Sequence, residues 1–304
     1  MRRLLLALLL TAAISSCIAA QDKHAVQVHE EVAADVTPVV PMHPKAPRVP
    51  DYVVFAGDTV RMDRPDFRER MDRELLSFTY MHSTSTMILK RAPRIFALVE
   101  PILRAQGVHD DLKYLMVIES SLDPKALSKS GAAGLWQFMK SAANTYSLEV
   151  SPEVDERYNI EKETVAACRY LKDARRRYGD WMTAAASYNA GMGNISKAVS
   201  EQKQRSALDL WLTEETSRYM FRLLAAKMFF EQPQSFGFDI AEDEAYPALD
   251  VAKVVTVNDS IPSLVDFAIE NGTTYAALRS ANLWLIAPKL TNSAKKTYQI
   301  IIPR

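Results

Sequence analysis

The chain has little cysteine and little histidine, and neither sign of charge is in excess. Its 304 residues include 2 cysteines and 5 histidines, and 37 basic residues balance 37 acidic residues. Two cysteines cannot form a disulfide framework, and the histidines lack the spacing of metal ligands. A chain without net charge is also poorly suited to nucleic acid. The composition therefore argues against a disulfide-stapled module, a zinc site and a nucleic-acid-binding protein.

Long apolar runs are also lacking, with one exception near the N-terminus. Residues 4–14 are apolar, follow two arginines and precede a stretch of small residues. Such a run is too short to span a bilayer, so residues 1–20 are predicted to be a secretory signal peptide. The tetrapeptide Ile-Ser-Ser-Cys that ends at Cys17 resembles a bacterial lipoprotein box, which predicts lipidation of Cys17 and a membrane anchor. Ordinary cleavage near Ala19 or Ala20 is the alternative.

Residues 21–63 are predicted to be an extended linker. Prolines recur at every third position from Pro38 to Pro50. Three residues is the period of the polyproline II helix, so this stretch is expected to be a tether without a core of its own.

Residues 64–232 are predicted to form a helical domain. Apolar side chains recur at helical spacing, as at Phe67, Met71 and Leu75, and no strong alternating strand pattern occurs. Pro93 and Pro101 are expected at first-turn or kink positions. The core of this domain is expected at about residues 108–232, after an N-terminal helical extension. The predicted fold class is therefore mainly α.

The C-terminal part of the chain has a different character. Residues 233–250 contain two prolines and a glycine and are predicted to be a linker. Residues 251–304 show a strand, two short helices and a final strand, which predicts a small βααβ module.

One carboxylate stands out in the helical domain. Leu112, Leu115, Met116 and Glu119 follow one another at positions i, i+3, i+4 and i+7, which places Glu119 on the apolar stripe of a helix. Burial there favours the protonated form, and a Glu that is neutral near pH 7 is a general acid. The alternatives are a Glu at the edge of the stripe or one paired with a buried arginine.

Four separated blocks carry a resemblance to a known family. They are Glu119-Ser120, Gly134-Leu135-Trp136-Gln137, Ala186-Ser187-Tyr188-Asn189-Ala190-Gly191 and Glu215-Thr216-Ser217-Arg218-Tyr219. In this order they resemble the lytic transglycosylases with a goose-type-lysozyme-like core, and the resemblance covers about residues 64–232. It implies a lysozyme-like helical catalytic domain and peptidoglycan as the substrate.

The resemblance also implies roles for single residues. Glu119 would be the catalytic acid and later the base, with Ser120 beside it. The positions that match substrate-contacting positions of the family are Ser128, Gln137, Tyr188, Asn189, Glu215 and Tyr219. For some of them a structural role is the alternative: Gln137 as a turn cap, Tyr188 as a core residue, Asn189 as a helix end and Glu215 as a first-turn acid.

Two departures from the family pattern concern the ends of helices. The last block usually has a proline two residues before its glutamate, where this chain has Thr213. Tyr158-Asn159 also replaces the commoner Arg-Asp pair. Both departures leave the catalytic acid untouched and bear on substrate preference.

The number of candidate carboxylates bears on the reaction. Ordinary glycosidases use two, whereas the first block offers only Glu119 in an apolar setting. One carboxylate suffices if the C6 hydroxyl of muramic acid attacks its own C1 and closes a 1,6-anhydro ring, because this intramolecular attack gains from effective molarity. Such a lytic transglycosylase needs neither metal nor other cofactor. The alternatives are a hydrolytic muramidase and a non-catalytic protein that binds murein.

The C-terminal module resembles LysM, a family that binds N-acetylglucosamine-containing chains. The matching stretches are residues 256–261, 275–282 and 298–303, although the usual glycine at the first turn is missing. The resemblance implies glycan binding, with a degenerate module kept for packing as the alternative. Together with the signal peptide it implies an exported protein of the bacterial cell envelope, anchored by lipid and facing the periplasm.

Overall fold

The structure, a computed structural model, describes residues 45–304, which are mainly helical. The predicted signal peptide, the lipidation site Cys17 and residues 21–44 of the predicted linker lie outside the described residues. Within residues 45–304, every helix is too short or too polar to cross a membrane.

The described residues contain ten α-helices and two antiparallel two-stranded sheets. The elements are β1 (Tyr52–Phe55), β2 (Asp58–Arg61), α1 (Pro65–Tyr80), α2 (His82–Gln106), α3 (Tyr114–Ser120), α4 (Lys140–Thr145), α5 (Ile160–Tyr178), α6 (Trp181–Ala190), α7 (Met192–Gln202), α8 (Glu214–Glu231), β3 (Val251–Val257), α9 (Leu264–Glu270), α10 (Tyr275–Ala281) and β4 (Tyr298–Pro303).

The end of the predicted linker forms a β-hairpin, so the predicted boundary at residue 63 is wrong. Strands β1 and β2 pair through a two-residue turn at Ala56 and Gly57, whose φ angles of 50° and 90° suit the twist of a hairpin. Phe55 is 1% exposed and belongs to the main hydrophobic core. Exposed and buried positions alternate along β1, but all four of its residues are apolar or aromatic, so the sequence shows no alternation there, and both strands are only four residues long.

The N-terminal helical extension packs against α8, the last long helix of the helical domain. Phe67 of α1 meets Phe221 of α8 edge to face at 5.2 Å, and Phe78 stacks on Phe229 at 5.1 Å. Residues 82–106 form a single helix with Pro93 and Pro101 inside it, so of the two predicted alternatives both prolines take the helix-interior position and neither lies in a first turn. Burial of apolar side chains along α2 outweighs the hydrogen bonds that the two prolines remove.

A buried aspartate joins the hairpin, the turn before α3, and α8. Asp111 lies in a 3₁₀ turn, Asp110–Lys113, that precedes α3. Its carboxylate accepts hydrogen bonds from the backbone N–H of Ala56 at 2.7 Å and from Lys227 at 2.8 Å. Asp110 and Asp111 therefore lie in a 3₁₀ turn, and the α-helix begins at Tyr114.

The predicted linker 233–250 is partly built into the helical domain. Phe236 and Phe238 are buried in the main core, and the N–H of Tyr246 donates to the carbonyl of Lys90 at 2.9 Å. The two prolines and the glycine of this stretch are typical of a linker. Its burial depends on residues that are distant in the sequence, so the local pattern could not predict it.

The C-terminal module has the predicted βααβ order and its own hydrophobic core. Strands β3 and β4 pair antiparallel, and the fully buried Asn282 bridges α10 and β4 through both the N–H and the carbonyl of Ile301. Val154 of the helical domain belongs to the core of this module.

Backbone and side-chain hydrogen bonds join the module to the segment 149–158. The N–H of Asp155 donates to the carbonyl of Trp284 at 2.8 Å, and Glu153 accepts from the hydroxyl of Thr291 at 2.7 Å. Glu149 accepts from Lys296 at 2.8 Å and from the hydroxyl of Tyr298 at 2.9 Å. The module is therefore docked on the helical domain.

Candidate active site

Glu119 lies in the last turn of the short helix α3. Leu112, Leu115 and Met116, which share its stripe, are fully buried, as the helical spacing predicted. The helix ends at Ser121, which adopts a left-handed backbone with φ of 53°. Glu119 is half-buried and its carboxyl group is largely removed from water.

Burial is the main cause of the raised pKa of Glu119. It raises the pKa of the Glu119 carboxyl to about 7, and the nearby charge of Glu215 also raises it. A hydrogen bond from the Tyr219 hydroxyl, at 2.7 Å to Oε1, lowers the pKa, as does the charge of Arg222. The net result is a carboxyl group that holds its proton up to neutral pH.

Tyr219 is a hydrogen-bond donor to this carboxyl group. It projects from α8, is 4% exposed, and burial raises the pKa of its hydroxyl well above the ordinary value. The phenol therefore stays protonated and stabilises the charged form of Glu119 when the proton leaves.

Tyr188 lies near Glu119, but its hydroxyl is directed elsewhere. The hydroxyl donates to the backbone carbonyl of Trp136 at 2.8 Å, and the ring packs edge to face on Phe138 and Tyr170. The charge of Glu119 contributes to a raised pKa of Tyr188, although burial is the larger cause. Tyr188 thus combines the two alternatives, because it is a packed aromatic residue that also borders the acid.

Asn189 ties the end of α6 to the first turn of α8. Its amide nitrogen donates to Glu215 at 3.3 Å, and its amide oxygen accepts from the Thr216 hydroxyl at 2.8 Å. Glu215 is exposed and is a first-turn acid of α8, while Thr213 caps that helix by accepting from the N–H of Thr216 at 3.3 Å. Threonine therefore replaces the expected proline without loss of the helix start.

The loop 131–138 is held by buried groups of the segment that begins α5. Glu163 is fully buried, and its carboxylate accepts from the N–H groups of Leu135 at 3.3 Å and Trp136 at 3.1 Å. Gly134, with φ of 81°, lies so close that a Cβ would stand 1.7 Å from the carbonyl oxygen of Arg157. Only glycine fits there.

Arg157 fixes the two ends of the same loop. Its guanidinium donates to the carbonyls of Gly131 at 2.7 Å and Phe138 at 3.1 Å, and it pairs with Asp155 at 2.7 Å. Asn159, which replaces the family's usual Asp, caps α5 by accepting from the N–H of Lys162 at 3.1 Å. The departure from the family pattern therefore preserves the cap.

Gln137 and Ser128 both lie in or next to this loop and are half-buried. The amide nitrogen of Gln137 donates to the carbonyls of Gly134 at 2.8 Å and Ala126 at 3.3 Å, which is the turn-capping role. The hydroxyl of Ser128 accepts from the N–H of Ala132 at 2.9 Å. Among the residues that the structure describes, the amide oxygen of Gln137 has no hydrogen-bond partner, so this atom is available to a ligand.

Ser120 does not face the acid. It is 9% exposed, and its hydroxyl donates to the backbone carbonyl of Met116 at 2.9 Å within α3. Among the predicted residues the structure brings Glu119, Tyr219, Tyr188, Asn189 and Glu215 together, and it places Ser128 and Gln137 on the loop that Tyr188 contacts.

Sequence reasoning missed Glu163 and Arg157. Glu163 and Glu161 both lie in the first turn of α5, where acidic residues are common, so Glu163 resembled an ordinary first-turn acid. Its position one helical turn before Ala166 and Ala167, which are both buried, was the available signal.

In residues 45–304, no group of three or more His, Cys, Asp or Glu side chains has the arrangement of a metal site. Cys168 is fully buried, and burial raises the pKa of its thiol to about 12, as expected for a small core residue.

Two protein-family models match the chain. The transglycosylase SLT domain matches residues 102–210, and the soluble lytic transglycosylase C-terminal LysM-like domain matches residues 253–304. The chain therefore contains an SLT domain and a LysM-like domain, which confirms the predicted lysozyme-like helical domain and C-terminal module. Glu119 and Tyr188 lie within the SLT match, whereas Tyr219 lies after its end.

Two curated relatives are informative. Over 207 residues the chain is 28% identical to membrane-bound lytic murein transglycosylase D of Escherichia coli strain K12, which covers 66% of this chain and 45% of that protein. The four sequence blocks resemble the same protein, so that likeness is confirmed. Over 150 residues the chain is 32% identical to peptidoglycan transglycosylase gp16 of Escherichia phage T7, covering 47% and 11% of the two chains. This chain thus spans less than half the length of either relative.

A solved structure also aligns with the chain. The 70 kDa soluble lytic transglycosylase of Escherichia coli is 20% identical, with a TM-score of 0.39, over 45% of this chain and 24% of that one.

Proposed function

We propose that this chain, which carries an SLT domain followed by a LysM-like domain, is a lytic transglycosylase of peptidoglycan. It would cleave the β-1,4 bond between MurNAc and GlcNAc without water and leave 1,6-anhydro-MurNAc ends. The observation that carries the proposal is a buried carboxyl group, Glu119, whose pKa of about 7 and hydrogen bond from Tyr219 suit a group that gives and then takes a proton.

Glu119 would act first as an acid. Its proton passes to the glycosidic oxygen as the bond from that oxygen to C1 of MurNAc breaks, and the leaving GlcNAc becomes an alcohol. The resulting carboxylate is stabilised by the Tyr219 hydroxyl, which donates to Oε1 at 2.7 Å. Positive charge develops on the sugar and is met by the substrate's N-acetyl group or by Tyr188 and neighbouring dipoles.

Glu119 would then act as a base. The C6 hydroxyl of the same MurNAc attacks C1, a C–O bond closes the anhydro ring, and the hydroxyl proton returns to Glu119. The acid is regenerated without a second carboxylate or a bound water. The attack is intramolecular, so orientation by the cleft replaces activation of a separate nucleophile.

Glu215 supports a second candidate, a hydrolytic muramidase. Its charge contributes to the raised pKa of Glu119, so a second carboxylate lies near the first. Inverting glycosidases place a basic carboxylate across the cleft to activate a water. Against this role, Glu215 is exposed and held by Asn189 at 3.3 Å.

Product analysis separates the two reactions. Purified peptidoglycan is digested with the wild-type protein, and the products are examined by mass spectrometry. Anhydro-muramic ends are expected, and they should persist at a reduced rate with Glu215→Gln. Products that are all heavier by one water, and that disappear with Glu215→Gln, would establish the hydrolase instead.

A non-catalytic murein-binding protein is the third reading, and Glu119→Gln tests it. This substitution keeps the shape of the side chain and removes its proton, so turnover should fall by at least about a thousandfold while binding to murein sacculi stays nearly unchanged. A wild-type protein that sediments with sacculi but releases no product under any condition would establish the binding role.

The surroundings of the enzyme are also part of the proposal. Export by residues 1–20 and lipidation at Cys17 would hold the protein in the cell envelope, facing the periplasm. The LysM-like domain would add affinity for N-acetylglucosamine-containing strands. Labelling of cells with a radioactive fatty acid, with Cys17→Ala as the control, tests the anchor.

A further inference from the structure

A cavity separate from the loop 131–138 lies beside the helix that carries Glu119. It has a volume of about 270 Å³ and lies between α1, α2, α3 and α8. Its lining combines apolar side chains such as Phe78 and Ile88 with hydroxyl groups and two arginines, Arg218 and Arg222. Ile118 and Ser121 also line it, and they flank Glu119 along α3.

The two arginines are held in place by one buried carboxylate. Glu74 is fully buried and accepts from Nε of Arg218 at 2.6 Å and from Nε of Arg222 at 3.3 Å. Among residues 45–304, the terminal guanidinium nitrogens of these arginines have no hydrogen-bond partner. Glu74 thus holds both arginines through their Nε atoms, and their Nη groups remain free to donate hydrogen bonds to a ligand in the cavity.

The charge of this wall favours an anion. Two arginines against one glutamate leave one positive charge, and the side chains of Arg218 and Arg222 are only 27% and 37% exposed. Arg91 lies outside the lining and pairs with Asp123 at 3.5 Å, so it adds no net charge, although it donates to the carbonyl of Ser121, which lines the cavity, at 3.0 Å. Guanidinium groups present paired N–H donors that match a carboxylate.

The cavity is close to the reacting carboxyl group. Arg222 lies near enough to Glu119 to lower the pKa of its carboxyl, and Tyr219, the neighbour of Arg218 on α8, donates to Glu119 directly. A ligand that occupies the cavity would therefore lie beside the glycan chain that Glu119 cleaves.

We propose that this cavity is a subsite for a carboxylate of the peptide stem carried by the peptidoglycan strand. The inference rests on the proposed function. The N-acetylated sugars of the strand are uncharged, so its anionic groups are the carboxylates of the stem that hangs from the lactyl group of MurNAc. The apolar side of the cavity suits the aliphatic part of such a stem, and the arginine pair suits its carboxylate.

Two substrates and one added charge test the subsite. Turnover is measured on intact peptidoglycan and on the same strands freed of peptide by an amidase, with the lactyl carboxylate that the amidase exposes capped as a methylamide so that the bare strands are uncharged. Thr84→Glu places a carboxylate in the cavity without breaking the Glu74 cluster, and Arg218→Gln removes a donor. Both variants should lose on the order of tenfold in kcat/KM on intact strands and less than twofold on bare strands.

Ser83→Glu is the matched control. It adds the same charge to the neighbouring position of α2, where the side chain is exposed and outside the cavity. It should leave kcat/KM unchanged on both substrates. Equal loss on both substrates for Thr84→Glu, or no loss on either, would overturn the subsite.

A binding measurement separates failure of the subsite from failure of the proposed function. In the Glu119→Gln protein, a stem-bearing disaccharide should bind on the order of tenfold more tightly than the same disaccharide without its peptide, and adding Thr84→Glu should abolish that preference. A preference that persists in the double variant, or that is absent from the start, contradicts the subsite. A wild-type protein without turnover that still shows the Thr84-dependent preference would refute only the enzymatic proposal.

Discussion

One hydrogen bond joins two residues that are 100 positions apart, Glu119 on α3 and Tyr219 on α8. The bond stabilises the charged form of the carboxyl group, while burial and Glu215 stabilise the neutral form. Burial prevails, and the pKa is raised to about 7. In the proposed reaction the balance matters because a group that gives and then takes a proton works best when neither of its forms is strongly preferred at the working pH.

A stability measurement isolates the cost of this arrangement. Below pH 4.5 the Glu119 carboxyl is protonated in both the folded and the unfolded protein. Between pH 4.5 and about 7 the unfolded chain releases the proton first, so folding loses free energy, and above that range the loss is complete. Glu119→Gln should therefore raise the free energy of unfolding by about 2 kcal/mol at pH 8 and by little at pH 4. Urea unfolding at the two pH values checks this, and an equal effect at both would contradict a buried neutral acid.

Tyr219→Phe tests the hydrogen bond itself. The donor that lowers the pKa of Glu119 is lost, so that pKa should rise and the alkaline limb of the rate profile should move to higher pH. We also expect the maximal rate to fall by about tenfold or more, because the carboxylate formed in the first step loses its donor.

Tyr188→Phe is the matched control in that pH profile. It removes a tyrosine hydroxyl that donates at 2.8 Å to the carbonyl of Trp136 and not to Glu119. Its alkaline limb should stay where that of the wild type is. A shift of equal size in both variants would assign the effect to general packing of the cleft.

At the scale of elements, the loop 131–138 depends on groups that lie behind it. Glu163 accepts two of its backbone N–H groups, Arg157 donates to carbonyls at both of its ends, and Tyr188 donates to Trp136 in its middle. Each of these side chains is buried or half-buried and comes from another element. The loop is therefore positioned by buried polar contacts, although it has no regular secondary structure.

Two glycines of this loop provide a matched pair of substitutions. Gly134 and Gly131 both have a left-handed backbone, with φ of 81° and 87°, but only Gly134 has backbone and carboxylate atoms within contact of a Cβ. Gly134→Ala should cost more than about 3 kcal/mol and most of the activity, whereas Gly131→Ala should cost about 1 kcal/mol through backbone strain alone. Thermal unfolding and turnover of both variants check this. Equal costs would mean that backbone conformation, and not the close approach of Arg157, requires glycine.

At the scale of the whole molecule, the C-terminal module is docked on the helical domain. The segment 149–158 supplies Val154 to the core of the module and Arg157 to the loop 131–138. Contacts with the module and with the candidate active site thus come from one ten-residue segment. The two predicted linkers, 21–63 and 233–250, are both shorter than expected, since residues 52–61 form strands and Phe236 and Phe238 are buried.

Val154→Asp should loosen this docking. Val154 is 1% exposed, and an unpaired carboxylate at that position would cost about 3 kcal/mol or more. We expect the module to melt before the helical domain, and residues 237–250 to be cut faster by protease. Val265→Asp, on the exposed side of α9, is the control and should melt as the wild type does. An unchanged protease pattern in Val154→Asp would contradict a docked module.

Local sequence determined the parts of this protein that depend on periodicity and on short motifs. Leu112, Leu115 and Met116 are fully buried as their spacing predicted, and Glu119, which continues their stripe at the end of α3, is half-buried. The βααβ order of the last fifty residues also followed from local pattern. Such features are determined by contacts between residues three or four positions apart in a helix, or by alternation along a strand.

Tertiary structure alone decided which distant groups meet. The spacing of residues along the chain predicts neither the hydrogen bond from Tyr219 to Glu119 nor the close approach of Gly134 to the backbone of Arg157. Each contact joins elements that are far apart in the sequence. The same holds for Glu74 and its two arginines, and for Val154 in the core of the module. The physical reason is that burial and pairing of polar groups depend on how separate elements pack against each other. A single stretch of sequence does not specify which other elements will contact it.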